Sequence, residues 1–404
     1  MKIVAALMAV GLVSPMAYAT NGDAMMSVGS QNTALGGTGV ANFVGAESTF
    51  ANPAMLGKSK GKEVVGGVVL FQPKVTNSGM MGTVATSTAD TNYIPDVSFS
   101  SRISDNLTYG VAMAGIAGMG VNYMDAPSHI LAKTSLSILK VVPTIAYNTK
   151  DYGVGFSPVL QYGSLMITYN NFDGTNGGPY NAGQKSDSDT GYGYTLGGYF
   201  NMTPALTLAA AYQSEIAMKY GTQLSGAGAG FGLMTGGYGA PFGDTLTQPA
   251  EVKAGVAYTI NDSFTVTADY KLIQWGSATG YKDYNWKDQT VVAVGGKYAG
   301  NGYWLGLGYN HSDDPIGELA TGSTVYRDAA VNFFNNLMFP AIVKDSYTFG
   351  GGFSMTKALD LELSAMIAPE VKKTVAIGAL GAPSATNTTT HSQQSFSVSM
   401  RYKF

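Results

Sequence analysis

The last ten residues of the chain, 395–404, read SFSVSMRYKF, and apolar and polar side chains alternate along them without a break. Successive side chains of a β-strand point to opposite faces, so this segment predicts a strand with one apolar and one polar face. Residues 263–275 and 359–367 show the same alternation. Segments of about ten residues, apolar outside and polar inside, are typical of transmembrane β-barrels.

The alternation recurs in segments from residue 64 to the end of the chain. A turn of only two or three residues follows the second segment, the fourth segment and each later even-numbered segment except the last. The remaining connections are long, and the number of segments is even. Outer-membrane barrels have this arrangement, with short periplasmic turns and long external loops. We therefore predict an all-β fold, a 14-stranded antiparallel transmembrane β-barrel, with strands at 64–72, 95–103, 107–116, 138–148, 151–163, 191–202, 206–215, 249–260, 263–275, 290–298, 302–311, 344–355, 359–367 and 393–404.

The composition excludes several other classes of protein. Charged residues make up 12% of the 404 residues, about half the share of an ordinary soluble domain. The chain has no cysteine and three isolated histidines, so it has no disulfide framework, thiol nucleophile or cysteine-bound metal. We predict no metal site and no cofactor. The 23 basic residues are scattered, and the net charge of −3 gives no nucleic-acid footprint.

The first nineteen residues predict a secretory signal peptide. Lys2 supplies the positive charge, residues 3–13 form a short apolar stretch, and Ala17-Tyr18-Ala19 is a cleavage site of the A-x-A type. The apolar stretch is shorter than the roughly 20 residues of a membrane helix. We expect Sec-type export and a mature chain that begins at Thr20. For a barrel, this predicts the outer membrane of a Gram-negative cell.

Residues 20–63 do not alternate and are rich in small residues, yet they contain about ten apolar side chains that need a partner. A barrel of eight strands is already filled by its own side chains, so fourteen strands leave a wide interior. We predict that 20–63 forms a hatch, or plug, inside the barrel of 64–404. The alternative is a flexible periplasmic tail.

Several motifs resemble those of one family of outer-membrane proteins. Gly36-Gly37, Gly39-Val40-Ala41 and Asn52-Pro53-Ala54 look like the hatch of the FadL/TodX family, which transports long-chain fatty acids and other hydrophobic compounds. Further matches are GYNHSDDPI at 308–316, FPAIVKD at 339–345, and PAEV at 249–252 with Trp275 after it. The mature N-terminus, TNGD at 20–23, departs from the family because it lacks the aromatic residue that some members place in the binding pocket.

The resemblance implies a monomeric barrel that takes up a ligand between its third and fourth external loops. The ligand then enters a deeper pocket and leaves sideways near a kinked third strand. The candidate loop residues are apolar and few charges interrupt them: Leu165, Ile167, Phe172, Met218, Tyr220, Leu224, Phe231, Leu233, Met234, Tyr238 and Phe242. The alternative is that they only pack the loops together. Glycines in strands mark bulges, so the candidates for the wall opening are Gly115, Gly118 and Gly120. A plain exit into the second loop remains open.

The alternation along the strands predicts that several basic side chains point into the barrel: Arg401, Lys403, Lys271, Lys253 and Lys297. One of them could meet a carboxylate headgroup, or they could pair with Asp269, Glu362 or groups of the hatch. The terminal Phe404 is the kind of residue that barrel-assembly machinery reads. The other expected partners are the hydrophobic ligand, the lipid and the lipopolysaccharide of the outer membrane.

These features predict passive uptake of hydrophobic small molecules, either fatty acids or aromatic and aliphatic hydrocarbons. The alternatives are a general diffusion porin, which needs a charged constriction, and an adhesin. Catalysis is not expected, because Ser128-His129 and His311-Ser312 are neighbours on the chain, and neighbours in a strand point to opposite faces. His391 follows a threonine-rich run, and we expect it to be solvated.

Overall fold

Fourteen antiparallel strands close into a barrel in the computed structural model, which describes residues 20–79, 82–126, 129–169, 185–231, 233 and 243–404. Each strand pairs with its sequence neighbour, and the last strand pairs with the first. The strands are β1 Lys62–Asn77, β2 Asn92–Arg102, β3 Leu107–Met119, β4 Ala132–Asn148, β5 Tyr152–Tyr169, β6 Asp187–Asn201, β7 Leu206–Gln213, β8 Glu251–Thr259, β9 Phe264–Ile273, β10 Gln289–Gly300, β11 Tyr303–Ser312, β12 Asp345–Ser354, β13 Leu359–Ala376 and β14 Thr386–Lys403.

The predicted strand number and the alternation are confirmed. Along β14, Phe396, Val398 and Met400 are exposed on the outside, whereas Ser397 and Ser399 are buried inside. Nine strands (β1–β6, β10, β13 and β14) are longer than predicted and include residues that we expected in loops or turns. At the beginning of β14, in 386–392, the outward residues are threonine and serine, and the period-two contrast between polar and apolar side chains is lost there. The backbone pairing nevertheless continues, as in Thr390 with Thr76.

The hatch lies inside the barrel and is almost entirely buried. It consists of two short strands, Thr20–Asn21 and Ala24–Met25, the helices α1 Ser30–Ala34 and α2 Ser48–Ala51, and a 3₁₀-helix, Pro53–Lys58. The first barrel strand begins at Lys62, close to the predicted boundary. None of the helices in the described part of the chain is long and apolar enough to cross a membrane.

The Asn52-Pro53-Ala54 motif fixes the hatch against the barrel wall. The side chain of Asn52 accepts a hydrogen bond from the Ala54 amide (3.0 Å) and donates to the carbonyl oxygens of Val40 (2.8 Å) and Gly198 (3.2 Å). Pro53 occupies the first turn of the 3₁₀-helix, where no amide hydrogen is needed. The motif packs on a wall that lacks side chains. A Cβ atom at Gly155 would lie 2.4 Å from the Ala54 nitrogen.

The adjacent glycines of the hatch are both required by the backbone. Gly36 and Gly37 have φ angles of 72° and 84°, which only glycine adopts without strain. They turn the chain after α1 so that Gly36 donates its amide hydrogen to Thr348 of β12 (3.0 Å) and accepts from the Asn310 side chain of β11 (3.0 Å). The turn therefore holds α1 against the wall.

Candidate functional site

An apolar cluster fills the external end of the barrel. Leu165 and Ile167 belong to it; they lie in β5 and point inward, so of the two possibilities that the sequence left open they finish this strand and are not part of the third loop. The fourth loop contains a helix, α3 Gln223–Gly230. Residues Met218, Tyr220, Leu224, Phe231 and Leu233 of this loop are all buried in the same cluster. They pack inside the molecule and do not form an exposed patch. Phe172, Met234, Tyr238 and Phe242 lie outside the described residues.

Two further loops contribute aromatic residues that sequence reasoning missed. The fifth loop brings Trp275, Tyr281 and Trp286 together, with ring centroids 4.5–5.2 Å apart. The sixth loop contains a helix, α4 Tyr326–Met338, whose Phe334 stacks on Tyr284 at 4.4 Å. The apolar residues of 331–338 recur at intervals of three and four, which is a helical pattern. That pattern was the signal that could have revealed α4.

A cavity of about 30 Å³ lies within this cluster. Its walls come from β3, β4 and the fourth, fifth and sixth loops, and they are almost wholly apolar. The lining residues are Met119, Leu136, Leu224, Leu246, Gly280, Tyr281, Tyr284, Trp286, Phe334, Asn335 and Phe339. Of the predicted loop residues that the structure describes, only Leu224 lines it. The cavity can hold a small apolar group and offers few polar partners.

β3 bends away from β2 next to this cavity. The two strands pair only as far as Asp96 with Ala114, and the pairing of β3 with β4 shifts register between Gly115 and Ala117, which is a β-bulge at Ile116. Beyond it, β3 pairs with the hatch: Ala117 lies opposite Ala24, and the Gly118 amide donates to the Asp23 carbonyl (2.9 Å). Within the described residues, 92–95 and 115–119 therefore face each other without a ladder of hydrogen bonds.

The three candidate glycines lie at this bend. Gly115 begins the bulge, and Gly118 makes the hatch contact. Gly120 follows the end of β3, and a Cβ atom there would lie 2.4 Å from the Thr134 carbonyl oxygen of β4. Glycine is therefore the residue that lets the bent segment lie against β4.

Asp23 of the hatch connects the bend to the external loops. Its carboxylate accepts hydrogen bonds from the Tyr281 hydroxyl and from Gln248 Nε2 (3.1 Å), and its backbone contacts Gly118. Burial raises the pKa of Asp23 to about 6, although both hydrogen bonds favour the charged form. Tyr281 lines the apolar cavity, so this polar group forms its floor.

A second cavity, of about 80 Å³, lies below that floor between the hatch and the wall. Gln248 lines it, together with three lysines and two carboxylates from strands β4, β8 and β9. Lys253 Nζ lies 3.0 Å and Lys271 Nζ 4.0 Å from a Glu251 oxygen, so these lysines pair with Glu251. The predicted pairing with Asp269 is not observed, since Asp269 accepts from the Val40 amide (2.9 Å). No group of His, Asp and Glu in the described residues could hold a metal ion.

Of the other charged groups predicted for the lumen, Arg401 anchors the hatch and the two lysines contact the barrel wall. Arg401 contacts Glu362 (3.2 Å), as expected, and Glu47 of the hatch (3.0 Å). Lys297 lies over the ring of Trp304, 5.5 Å from its centroid. Lys403 is half-exposed and pairs with Asp360.

Two histidines bear on the sequence predictions. The prediction for His391 is wrong, because it lies in β14, is 7% exposed and its Nδ1 is 2.7 Å from the Pro340 oxygen. The sixth loop covers it. His311 contacts Asp345 on the outer face (2.8 Å), whereas Ser312 is buried inside, so the two neighbours point to opposite faces.

The closed barrel, its hatch and the apolar cavity behind a bent third strand define a class of outer-membrane transport protein. Residues 12–404 match the family described as outer membrane protein transport protein (OMPP1/FadL/TodX), and the chain belongs to this family. The family and the barrel fold support an outer-membrane location. A sequence search of curated proteins gave no match.

Several solved structures share the fold. The toluene transporter TodX of Pseudomonas putida has a TM-score of 0.69 and 16% identity over 94% of this chain and 99% of its own. A Pseudomonas aeruginosa FadL homologue has a TM-score of 0.69 and 17% identity over 95% and 100%. The Ralstonia pickettii toluene transporter TbuX has a TM-score of 0.63 and 17% identity over 95% and 99%.

Proposed function

We propose that this protein takes up small hydrophobic molecules, such as monoaromatic hydrocarbons, by passive diffusion, and that they leave sideways into the outer membrane between β2 and β3. The observation that carries the proposal is the position of the apolar cavity. Met119, which lines it, belongs to the segment of β3 that has left its neighbour β2. A molecule in the cavity therefore lies next to the interrupted part of the wall.

The lateral path has a physical reason. Hydration of an apolar surface is unfavourable by about 25 cal/mol per Å². In a water-filled pore, a hydrocarbon would have this unfavourable hydration free energy over the whole length of the barrel. Exit into the bilayer instead moves the hydrocarbon from one apolar environment to another. The buried hatch leaves little of the lumen for a porin-like channel. Catalysis is not part of the proposal.

The similar structures named as toluene transporters favour a neutral aromatic ligand over a long fatty acid. The apolar cavity, about 30 Å³, is smaller than the roughly 150 Å³ that encloses a benzene ring, so it must widen for either ligand and its size does not choose between them. Among the predicted residues, we assign ligand contact to Leu224, with Leu165, Ile167, Met218, Tyr220, Phe231 and Leu233 packed around it. Phe172, Met234, Tyr238 and Phe242 stay predictions for the entrance. The wall opening is assigned to Gly115, Gly118 and Gly120.

The test is a fluorescence titration of the purified protein in detergent with toluene, a long-chain fatty acid and its methyl ester. Trp286 lines the cavity and Trp304 lies elsewhere in the barrel. We expect saturable quenching by toluene that is retained in Trp304→Phe and reduced in Trp286→Phe, where Trp275, 5.2 Å from the ring of Trp286, remains as a reporter. Absence of binding together with steady ion conduction in planar bilayers would refute the transporter and support the porin.

We further propose a monomer, exported by the Sec route, whose outer face contacts lipid and lipopolysaccharide. Phe404 is 74% exposed at the end of the last strand, where assembly machinery can reach it. Phe404→Ala is expected to lower the amount of protein in the outer membrane without changing ligand binding by the refolded protein.

A further inference from the structure

Three long strands extend the outer face of the barrel beyond its apolar band, at the end that carries the long loops. β13 and β14 stay paired as far as Ala376 with Thr386, and β1 continues beside β14 to Asn77. On β14 the outward residues change from the apolar Phe396 to the polar Gln394. The outward residues beyond Gln394 therefore lie at the level of the lipid headgroups of the external leaflet.

Two exposed lysines flank β14 at this level. Lys74 of β1 lies opposite Ser392, and Lys372 of β13 lies opposite Thr390. Because strands lie about 4.8 Å apart and rise about 3.4 Å per residue, the Cα atoms of the two lysines are roughly 12 Å apart. Within the described residues neither ammonium group makes a hydrogen bond or an ion pair. Two cations without a counter-ion on the protein favour an anionic partner.

The strands next to the lysines also offer hydroxyl groups. The hydroxyl oxygens of Thr76 and Thr390 are 2.8 Å apart, and so are those of Thr374 and Thr388. In each pair one hydroxyl donates to the other, so the accepting hydroxyl keeps its own hydrogen for a partner outside the protein. Hydroxyl donors beside two ammonium groups suit the oxygen atoms of a phosphate.

The outer face of the same three strands is apolar below the lysines. Val68 of β1, Phe396 and Val398 of β14, and Ile367 of β13 are all exposed there. A partner that covers both levels needs a phosphate head and acyl chains. In the external leaflet of an outer membrane, the lipid with this chemistry is lipopolysaccharide, whose lipid A part carries phosphates on sugars and several acyl chains.

We infer that the outer face of β13, β14 and β1 is a binding site for lipopolysaccharide. A lipid A phosphate lies over β14 between Lys74 and Lys372, and the acyl chains lie on the apolar residues below. The inference deepens the proposed contact with lipopolysaccharide and rests on it, but it does not depend on hydrocarbon uptake. Glu370, which is exposed two residues before Lys372, weakens the attraction for the phosphate.

The test is native mass spectrometry of the full mature protein, refolded in detergent and titrated with lipid A. A basic side chain near an anionic lipid surface contributes about fivefold to the affinity. We therefore expect Lys74→Gln and Lys372→Gln each to weaken lipid A binding about fivefold, and the double variant to weaken it about 25-fold. Arginine at both positions should retain the affinity. Lys357→Gln is the control and should bind like the wild type, because Lys357 is an exposed lysine of a short turn at the opposite end of the barrel.

Two further measurements change only the electrostatic attraction. Glu370→Gln should strengthen lipid A binding, and added NaCl should weaken binding by the wild type more than by the double variant, because salt screens exposed charges. The inference is overturned if the double variant binds lipid A like the wild type, or if Lys357→Gln loses as much affinity. Equally tight binding of phosphatidylglycerol would assign the surface to anionic phospholipid and also overturn it.

Toluene quenching, measured on the same proteins, separates this inference from the proposed uptake. We expect the double lysine variant to bind toluene like the wild type. Toluene binding together with lipid A binding that does not depend on the lysines would refute only this inference. Lysine-dependent lipid A binding by a protein that does not bind toluene would refute only the proposed hydrocarbon uptake.

Discussion

Glu47 of the hatch is buried next to the guanidinium group of Arg401. The same guanidinium group also pairs with Glu63, at 3.3 Å, and with Glu362. Burial raises the pKa of Glu47 to about 8, since the attraction of Arg401 is opposed by the other two carboxylates. The folded protein therefore holds the proton of Glu47 more tightly than the unfolded chain does, where the pKa of this carboxyl group is 4.5. Protonation of Glu47 therefore contributes to the free energy of unfolding. This contribution is fully present below pH 4.5 and is lost as the pH rises through about 8.

We predict that Glu47→Gln removes this dependence. The gap in unfolding free energy between wild type and variant should change by about 1.4 kcal/mol per pH unit between these limits. Urea unfolding at pH 5, 7 and 9 measures it. Glu370→Gln, at an exposed site on β13, is the control and should run parallel to the wild type. If the unfolding free energies of Glu47→Gln and the wild type ran parallel with pH, Glu47 would be ionised at all three pH values and the prediction would be wrong.

Among the elements, the hatch turn at Asn52-Pro53-Ala54 depends on glycines of the wall. A Cβ atom at Gly197 would lie 1.9 Å from Asn52 Oδ1, and one at Gly155 would meet the Ala54 backbone. We predict that Gly155→Ala and Gly197→Ala destabilise the protein by about 1–3 kcal/mol through overpacking. Gly296→Ala is the matched control, because its Cβ atom would contact nothing within 4 Å. Unfolding midpoints that do not distinguish the three variants would mean that the turn does not rest on this wall.

The bulge in β3 is the second element with a testable role. Deletion of Ile116 removes the extra residue, so that β3 can continue its pairing with β2. If ligands leave through this part of the wall, the deletion should lower uptake of toluene by cells at least tenfold while the purified protein still binds toluene. Ile116→Ala keeps the bulge and should retain uptake. Normal uptake in the deletion variant would place the exit elsewhere.

The elements that the sequence predicts well are those with an apolar face towards lipid. On β14, outward Phe396 and Val398 differ from inward Ser397 and Ser399, and this contrast locates the strand. Inside the barrel the rule fails. Loop residues such as Leu224 and Phe334 are buried against one another, so periodicity relative to solvent carries no information on which of them line a cavity. The pairing of Lys253 and Lys271 with Glu251, and not with Asp269, likewise depends on three-dimensional placement.

At the scale of the whole molecule, strand pairing places the polar and apolar parts of the outer face at common levels. Leu70 pairs with Phe396, Gln72 with Gln394, and Lys74 with Ser392. The outer face of β1 and β14 therefore changes from apolar to polar between Phe396 and Gln394, which puts the edge of the hydrocarbon layer at this level. The loops and the long strand ends lie beyond it.

This boundary can be measured because the chain has no cysteine of its own. Spin labels at Phe396→Cys and Ser392→Cys would be separated by roughly 14 Å along the strand. In bilayers, we expect the label at 396 to be relaxed mainly by dissolved oxygen and the label at 392 mainly by a water-soluble nickel complex. Ser397→Cys is the control: Ser397 lies inside, 2.5 Å from Ser30 of the hatch, so its label should be shielded from both reagents. Strong nickel relaxation at 396 would show that this face does not meet lipid, and strong relaxation at 397 would show that the hatch does not fill the barrel.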